Sequence, residues 1–360
     1  PRTRPSTLYE LAIQVALIRP GPLQGDMVHP YIRRKRGEEP IDLIHPSLAP
    51  ILRRTLGVPL FQEQGMRLAI EAADFSPDEA ELLRRAIGSN RTRHLLPSLL
   101  AKLKSGLKTR GIKDEAAERV IVQIASFSTY GFPESHSTSF ALLVYASAWL
   151  KCFHPAQYLC AMLNAQPMGF YSPASLIQDA RRHGVEVRPP CLKVSAWHCL
   201  MENHTVRLGL RSVVGLGPKA REKLSRTLVE GPFESATDVV RRTGLPREAL
   251  MTLAQAGAFG TLISTNRRDA VWKVLHLSRS FVGGLPFKEP PEAQLCFPEQ
   301  TPMEETTEDF KSMGLTTGVH PMEHIRSQLD QVGMMRAVDL RTTKGGEWVK
   351  VAGLVISRQR

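Results

Sequence analysis

Along residues 1–165 the apolar positions recur at helical spacing, which predicts a predominantly α-helical region. The clearest helix is "SPDEAELLRRAIG" (76–88): Ser76 is a capping residue, Pro77 suits the first helical position, Glu79 completes a capping box and Gly88 is placed to stop the helix. Leu82, Leu83, Ala86 and Ile87 anchor one face, which leaves Arg84 and Arg85 near the C-terminal end. A second polar-to-apolar switch occurs at "YGFPESHSTSFA" (130–141). There Gly131 and Pro133 frame a turn, Ser135 or Ser137 is expected to cap a helix starting near Thr138, and Ala141, Val144, Tyr145, Ala148 and Trp149 form its apolar stripe. The amides of such a helix start are a natural place for an anion.

Beyond 165 the pattern changes. Residues 167–205 read as a turn, a capped helix, an extended "VEVRPP" and a looped region, and a compact helical module follows from 206 to about 260. At its start, "VVGLGPKAREKL" has the form of a helix–hairpin–helix centre. Gly215 and Gly217 permit a tight turn close to another backbone, Pro218 opens the next helix, and Lys219, Arg221 and Lys223 surround that helix start. The hairpin amides suit a nucleic-acid phosphate, a contact that holds register without reading bases; a glycine turn between two packed helices has the same pattern. Residues 286–310 are acidic and proline-rich, with Lys288 as their one cation, and read as a surface linker. The closing "EWVKVAGLVISRQR" alternates like a strand. With no initiator methionine and a strand that starts a small sheet domain, the chain is expected to be an internal piece of a larger protein.

Composition narrows the classes. The 47 Lys and Arg outnumber the 35 Asp and Glu to give a net charge of +12, which favours a polyanionic partner. No signal peptide or bilayer-length apolar run is apparent, so no membrane association and a cytoplasmic location are expected. The five cysteines are irregularly spaced free thiols by this reading, although Cys191, His198 and Cys199 could share a metal. There is no D-x-D pair, Walker loop, HExxH or GxSxG, and hence an anion-binding surface without a recognisable catalytic centre and without a metal site of its own.

Four long blocks then carry a specific resemblance. "ALIRPGPLQGDMVHPYIRRKRG", "HPSLAPILRRTLGVPLFQEQGMRLA", "LLRRAIGS" and "YGFPESHSTSFALLVYASAWLKCFHPAQYL" resemble, in order and spacing, the fingers of bacterial C-family DNA polymerases, the alpha subunit of DNA polymerase III and its relatives. "LGLRSVVGLG" through "LAQAGAFG" resembles the family's tandem helix–hairpin–helix domain, and the last strand resembles the start of its OB domain. Replicative members carry Asn-Lys-Ser-His after "YGF"; here Pro133, Glu134, Ser135 and His136 follow. With "LNAQPMGFYSP" and "QDARRHGVEVRPP", this is similar to the error-prone, damage-associated branch. Alternatives are the replicative subunit itself, a non-catalytic DNA-binding scaffold, or a nuclease or ligase that uses the hairpins as a clamp.

The resemblance implies helical fingers over 1–165, a connector over 166–205, tandem hairpins over 206–275, a linker with short helices over 276–330, and the first strand of a truncated OB-fold β-barrel over 331–360. It implies template-directed extension of primer–template DNA with dNTPs, with Mg2+ held by palm aspartates not found in these residues. A sliding clamp and damage-response polymerase factors are possible partners. Arg84, Arg85, Ser135, His136, Ser137 and Arg19 fall at nucleotide-side positions, while Gln62, Glu63 and Gln64 fall where they support the cleft or touch the template side. Gly215, Gly217, Lys219, Arg221 and Lys223 fall at the DNA-backbone contact. Tyr145 and Trp149 are expected to pack the helix behind the nucleotide.

Overall fold

The computed structural model describes residues 3–18, 28–88, 91–112, 114–126, 132–169, 171–263, 266–280 and 297–355. The chain divides into two compact units between Trp149 and Leu150. In the first, the helices are α1 (Leu8–Leu17), α2 (Val28–Lys35), the single turn α3 (Ala49–Leu52), α4 (Gln62–Ala73), α5 (Pro77–Gly88), α6 (Leu96–Thr109), α7 (Asp114–Ser126) and α8 (Glu134–Phe153), the last continuing past the division. Leu68, Leu83, Leu103, Leu107, Val120 and Ile124 are fully buried where α4 to α7 meet. A Cβ at Gly106 of α6 would collide with the backbone of Ala73 at the end of α4, so this crossing requires glycine. A smaller cluster, including Ile13, Tyr31, Leu60 and Phe61, ties α1 and α2 to the segment that leads into α4.

The basic run at 33–36 is spent within this unit. Arg33 and Arg34 both reach Glu39, at 2.8 and 2.9 Å, and Arg34 also donates to the Leu56 carbonyl. Lys35 pairs with Glu10, and Arg36 lies 3.6 Å from Glu38. Each of these cations therefore has an acidic partner on its own chain.

The second unit continues through α9 (Pro155–Asn164), α10 (Pro173–Arg182), the short strands β1 (Val187–Arg188), β2 (Leu200–Glu202) and β3 (Thr205–Arg207), then α11 (Pro218–Glu230), α12 (Ala236–Thr243), α13 (Arg247–Gln255), α14 (Arg267–Ser280), α15 (Pro302–Met313), α16 (Pro321–His324) and α17 (Arg326–Gln331). The strands form a sheet of order β1-β3-β2, with β1 parallel and β2 antiparallel to β3. One apolar core runs from Leu159 through Val206, Leu224, Leu253 and Phe259 to Met313.

Two expectations change here. The described end of the acidic stretch is helical: Thr301 and Glu304 form a reciprocal capping box that starts α15, which buries Thr306 and Asp309. Asp309 is compensated by Arg267 at 2.7 Å and by the Thr316 hydroxyl at 2.6 Å, a pairing that composition conceals. Nor does the terminal run form a strand among the described residues. It makes one isolated bridge, Val351 to Met335, with Trp348 and Val355 exposed; alternation supplies a face, but a strand is held by a ladder and none is paired with it here. No barrel forms among the described residues.

Candidate nucleotide and DNA contact sites

The start of α5 is built as its sequence dictates. Ser76 accepts from the Glu79 amide, and Glu79 reaches back to the Ser76 amide. One turn further on, Glu81 holds both arginines. Arg84 donates through Nε and Nη2 to the two carboxylate oxygens, each at 2.7 Å, and Arg85 Nε donates to Oε1 at 2.9 Å. These are i,i+3 and i,i+4 contacts on one helix face. The arginine side chains remain 38% and 64% exposed, and among the described residues Arg84 Nη1 and both Nη of Arg85 make no hydrogen bond. Hydrogen bonds from Arg84 and then Arg85 hold the Glu81 carboxyl down at about 2.

Because the folded value lies below that of a free carboxyl, Glu81 pairing stabilises the fold above the ordinary carboxylate range and loses that contribution as pH falls toward 2. Glu81→Gln is therefore expected to flatten the acid limb of a melting-temperature profile. At neutral pH it costs at most about 1 kcal/mol, since the pairs are solvent-screened. An unchanged acid limb would show that the fork contributes nothing to the folded state.

Arg84 also lines a small pocket, about 50 Å³, with Gln62, Met66, Leu83, Ile87 and Ile124. Gln62 opens α4, and its amide donates to the Phe132 carbonyl at 3.0 Å, next to a parallel bridge between Phe61 and Phe132. Its neighbour Glu63 accepts from the Glu134 amide at 2.9 Å, the first amide of α8. The starts of α4 and α8 thus lie side by side, and the expected anion at the α8 start is in part the chain's own Glu63. The Glu63 charge also reaches Arg84, whose pKa is raised by the Glu81 hydrogen bonds first and by Glu63 to a lesser degree.

The α8 start differs from the expected capping. The helix begins at Glu134, four residues before Thr138, so Ser135, His136 and Ser137 occupy its first turn rather than its cap. Pro133 supplies the capping carbonyl, which accepts from the Ser137 amide, because its fixed φ already suits the residue preceding a helix. Ser137 is fully buried and donates its hydroxyl to the Ala12 carbonyl of α1, so it is a packing residue. Ser135 is exposed. His136 is exposed as well, set edge-on against Phe132 and Phe140 with centroids 5.2 and 4.6 Å away. Arg19 lies outside the described residues.

Glu134 faces Tyr9, whose hydroxyl is pushed well above its ordinary range by burial and then by its hydrogen bond to Glu134. Arg54 sits over the Tyr9 ring at 3.6 Å. The acidic residue that distinguishes this turn is therefore held by a tyrosine. Further along α8 the apolar stripe is open: Ala141 is buried, but Val144, Tyr145 and Trp149 are 43%, 60% and 45% exposed. Periodicity identifies this apolar face without identifying what covers it.

Gln64 is wholly internal. Its Oε1 accepts from the Leu60 and Phe61 amides at 2.9 and 3.1 Å, and its Nε2 donates to the Ile51 carbonyl and the Thr55 hydroxyl at 3.0 and 2.9 Å. It braces the entry to α4 and presents nothing outward. Sequence reasoning assigned no role to Glu81, although its spacing from Arg84 and Arg85 is a readable signal. The Glu63 contact, 71 residues away in sequence, has no comparable one.

In the second unit the hairpin precedes α11. Gly215 adopts φ +84°, the left-handed region that glycine enters freely, and Gly217 forms the N-cap of α11 ahead of Pro218. A Cβ at either glycine would meet nothing within 4 Å, so the turn faces open space rather than the close approach to another part of the chain that the pattern allowed. Lys219 and Arg221 are exposed, Arg221 lying 5.7 Å from the Trp197 ring. Lys223 differs, because its ammonium donates to the Gly244 carbonyl at 2.6 Å. Gly244, at φ +50°, ends α12 and begins the second hairpin, which Pro246 caps into α13. Lys223 thereby links the two hairpins.

Among the described residues no group of three or more His, Cys, Asp or Glu side chains can hold a metal ion, and Cys160, Cys191 and Cys199 are buried free thiols. No helix among them is long and apolar enough to cross a membrane.

Residues 1–111 match the bacterial DNA polymerase III alpha subunit finger domain, and residues 184–270 match a helix-hairpin-helix motif. Over its whole length the chain is 47% identical to the error-prone DNA polymerase of Alkalilimnicola ehrlichii, 46% to that of Anaeromyxobacter dehalogenans and 42% to error-prone DNA polymerase 1 of Agrobacterium fabrum. The chain belongs to the bacterial DNA polymerase III alpha-subunit family, in its error-prone branch. It covers 35%, 33% and 35% of those three polymerases, about a third of their length. This family membership gives the two described regions their context: the arginine fork lies in the finger match and the open glycine turn in the hairpin match.

Proposed function

We propose that this chain supplies the nucleotide side of the active cleft and a backbone grip on DNA to an error-prone, DNA-directed DNA polymerase working in damage-associated translesion synthesis. The observation that carries the reading is the convergence of Arg84 and Gln62 on one pocket beside the paired starts of α4 and α8. In the reaction, the primer 3′-hydroxyl oxygen attacks the α-phosphorus of a dNTP, the bond to the bridging oxygen of the β-phosphate breaks, and pyrophosphate leaves. Arg84 and Arg85, oriented by Glu81, donate to the β- and γ-phosphate oxygens on which negative charge accumulates. His136 and Ser135, in the first turn of α8, are assigned to the same cleft, as is Arg19 by its place in the fingers. Gln62 and Glu63 hold the two helix starts in register.

Magnesium, which such polymerases require, is assigned to palm carboxylates outside the described residues. The region assignment follows the family order: fingers over 1–165, connector over 166–205, tandem hairpins over 206–275, linker and short helices over 276–330, and the beginning of an OB-fold domain over 331–360. Primer–template DNA and dNTPs are the substrates, with the cytoplasm as the site of action and a sliding clamp and damage-response factors as candidate partners.

Two outcomes test this. The 360-residue chain alone, given primer–template, magnesium and all four dNTPs, is expected to bind DNA without extending the primer; robust incorporation would overturn the assignment. In the same chain, Lys219→Glu with Arg221→Glu is expected to weaken duplex binding and to reduce the slope of log affinity against log salt by about 0.9 for each phosphate that the variant no longer neutralises. Lys223→Glu should instead lower the melting temperature, because it breaks the link to Gly244. Unchanged affinity and slope in the folded double variant would make the hairpin a packing turn.

A further inference from the structure

The stretches "LNAQPMGFYSP" (163–173) and "QDARRHGVEVRPP" (178–190) resemble the error-prone branch, yet neither contributes to the cleft or the hairpins. In the second unit they converge on one cavity. It measures about 350 Å³ and lies between the end of α8, α9 and α10. Leu159, Met162 and Leu176 make its apolar wall, and Tyr158 and Tyr171 add two aromatic rings, the latter 58% exposed. Lys151, Asp179 and His183 supply its polar rim.

The rim is organised around Asp179. Its carboxylate accepts from Lys151 Nζ at 2.6 Å and lies 3.6 Å from Arg182 Nη2, while His183 Nδ1 donates to the Asp179 carbonyl at 2.7 Å. Arg182 is not part of the lining but stands beside it, so two cations, Lys151 on the rim and Arg182 next to it, face the one Asp179 carboxylate. Pairing with Lys151 and Arg182 thus offsets the Asp179 charge that an approaching anion would meet. The volume falls within the range of small-molecule sites, about 300–1,000 Å³. Aromatic walls beside a cationic rim suit a ligand with a flat aromatic body and a phosphate, and they are the two elements of sequence-independent single-strand binding.

We propose that this cavity receives one unpaired nucleotide of single-stranded DNA, its base against Tyr158 and Tyr171 and its phosphate toward Lys151 and Arg182. The inference rests on the reading of the chain as a DNA-binding part of a polymerase, and it adds a base-stacking site whose residues belong to neither the arginine fork nor the hairpins. Such a site lets the chain hold a template base that has no partner strand, whatever that base is.

The test uses the 360-residue chain with two fluorescent single strands of equal length, oligo-dT and the same backbone carrying abasic sites. Tyr171→Ala is expected to weaken oligo-dT binding about five- to a hundred-fold while leaving the abasic strand unchanged. Ser175→Trp, at an exposed position on the cavity wall, is expected to give the same selective loss by filling the space. Lys151→Ala should weaken both strands. Free dTMP distinguishes the source of the ligand: saturable binding abolished by Tyr171→Ala shows that the site takes a lone nucleotide as well, and binding of the strand alone shows that it needs the continuous backbone. Duplex affinity, measured in parallel with the Lys219→Glu and Arg221→Glu variant, reports on the hairpin reading independently. Thermal melts confirm folding. If folded Tyr171→Ala and Ser175→Trp both bind oligo-dT as tightly as the unaltered chain, or lose affinity for both strands equally, the proposal is wrong.

Discussion

Arg84→Ala and Arg85→Ala, each introduced into the full-length polymerase, are expected to reduce kcat/KM for nucleotide incorporation by about ten- to a hundred-fold. On the proposed function each removes a charged donor to the triphosphate while sparing the metal-binding carboxylates, and a hydrogen bond to a charged group is worth about 1.5–3 kcal/mol. The Glu81 fork adds a distinction. Arg84 is held by two hydrogen bonds and lines the Gln62 pocket, whereas Arg85 is held by one and is more exposed. A lysine at 84 retains the charge but loses the planar two-point contact, so Arg84→Lys should recover only part of the loss. Single-turnover kinetics across a dNTP titration separate weaker nucleotide binding from a slower chemical step, and primer–template affinity should change little. Wild-type nucleotide dependence in both folded alanine variants would reduce "LLRR" to an ordinary helix end.

Gln64→Ala is expected to destabilise the finger unit by about 3–5 kcal/mol, with no direct contribution to nucleotide or template contacts. The amide side chain satisfies two amides, one carbonyl and one hydroxyl inside the fold, and each buried polar group left without a partner costs about 1–3 kcal/mol. The loss is smaller than the sum of the four because local relaxation and water entry compensate in part. Gln64→Glu keeps the acceptor and replaces the donating amide by an oxygen facing the Ile51 carbonyl, so it should also be strongly destabilising. Chemical denaturation of the 360-residue chain measures both. A folded Gln64→Ala chain of unchanged stability, coupled to weaker template binding in the polymerase, would return this residue to the template side.

What the sequence disclosed and what it concealed divide along physical lines. Local chemistry was legible: the Ser76 and Glu79 capping box, Pro77 at the first helical position and the Gly215 turn all form where their residue types predict. Interactions within a few residues are also coded locally, and the Glu81 fork belongs to that class although it was not anticipated. Long-range pairings were not legible. Neither Glu63 at the α8 start nor Ser137 at the Ala12 carbonyl can be read from spacing, because the contacts join residues 71 and 125 positions apart. Charge was misleading where partners were distant or unexpected. The basic run at 33–36 is largely absorbed by Glu39 and Glu10, and the acidic run after 286 feeds a capped helix whose Asp309 neutralises Arg267. A net charge thus overstates the cationic surface left for a polyanion, to which the exposed Lys219 and Arg221 belong.

The central claim is that the arginine fork and the paired starts of α4 and α8 lie against the incoming nucleotide. It is tested most directly by mapping where a dNTP touches the full-length polymerase on a primer ending in a dideoxynucleotide. With a photoreactive group on the γ-phosphate of the correct dNTP, the account predicts crosslinks in peptides covering residues 77–88 and 132–141. Arg84→Ala should diminish them, whereas the hairpin variant should leave them intact. Crosslinks confined to residues 206–260, or absent from this chain while the nucleotide remains bound, would contradict the account.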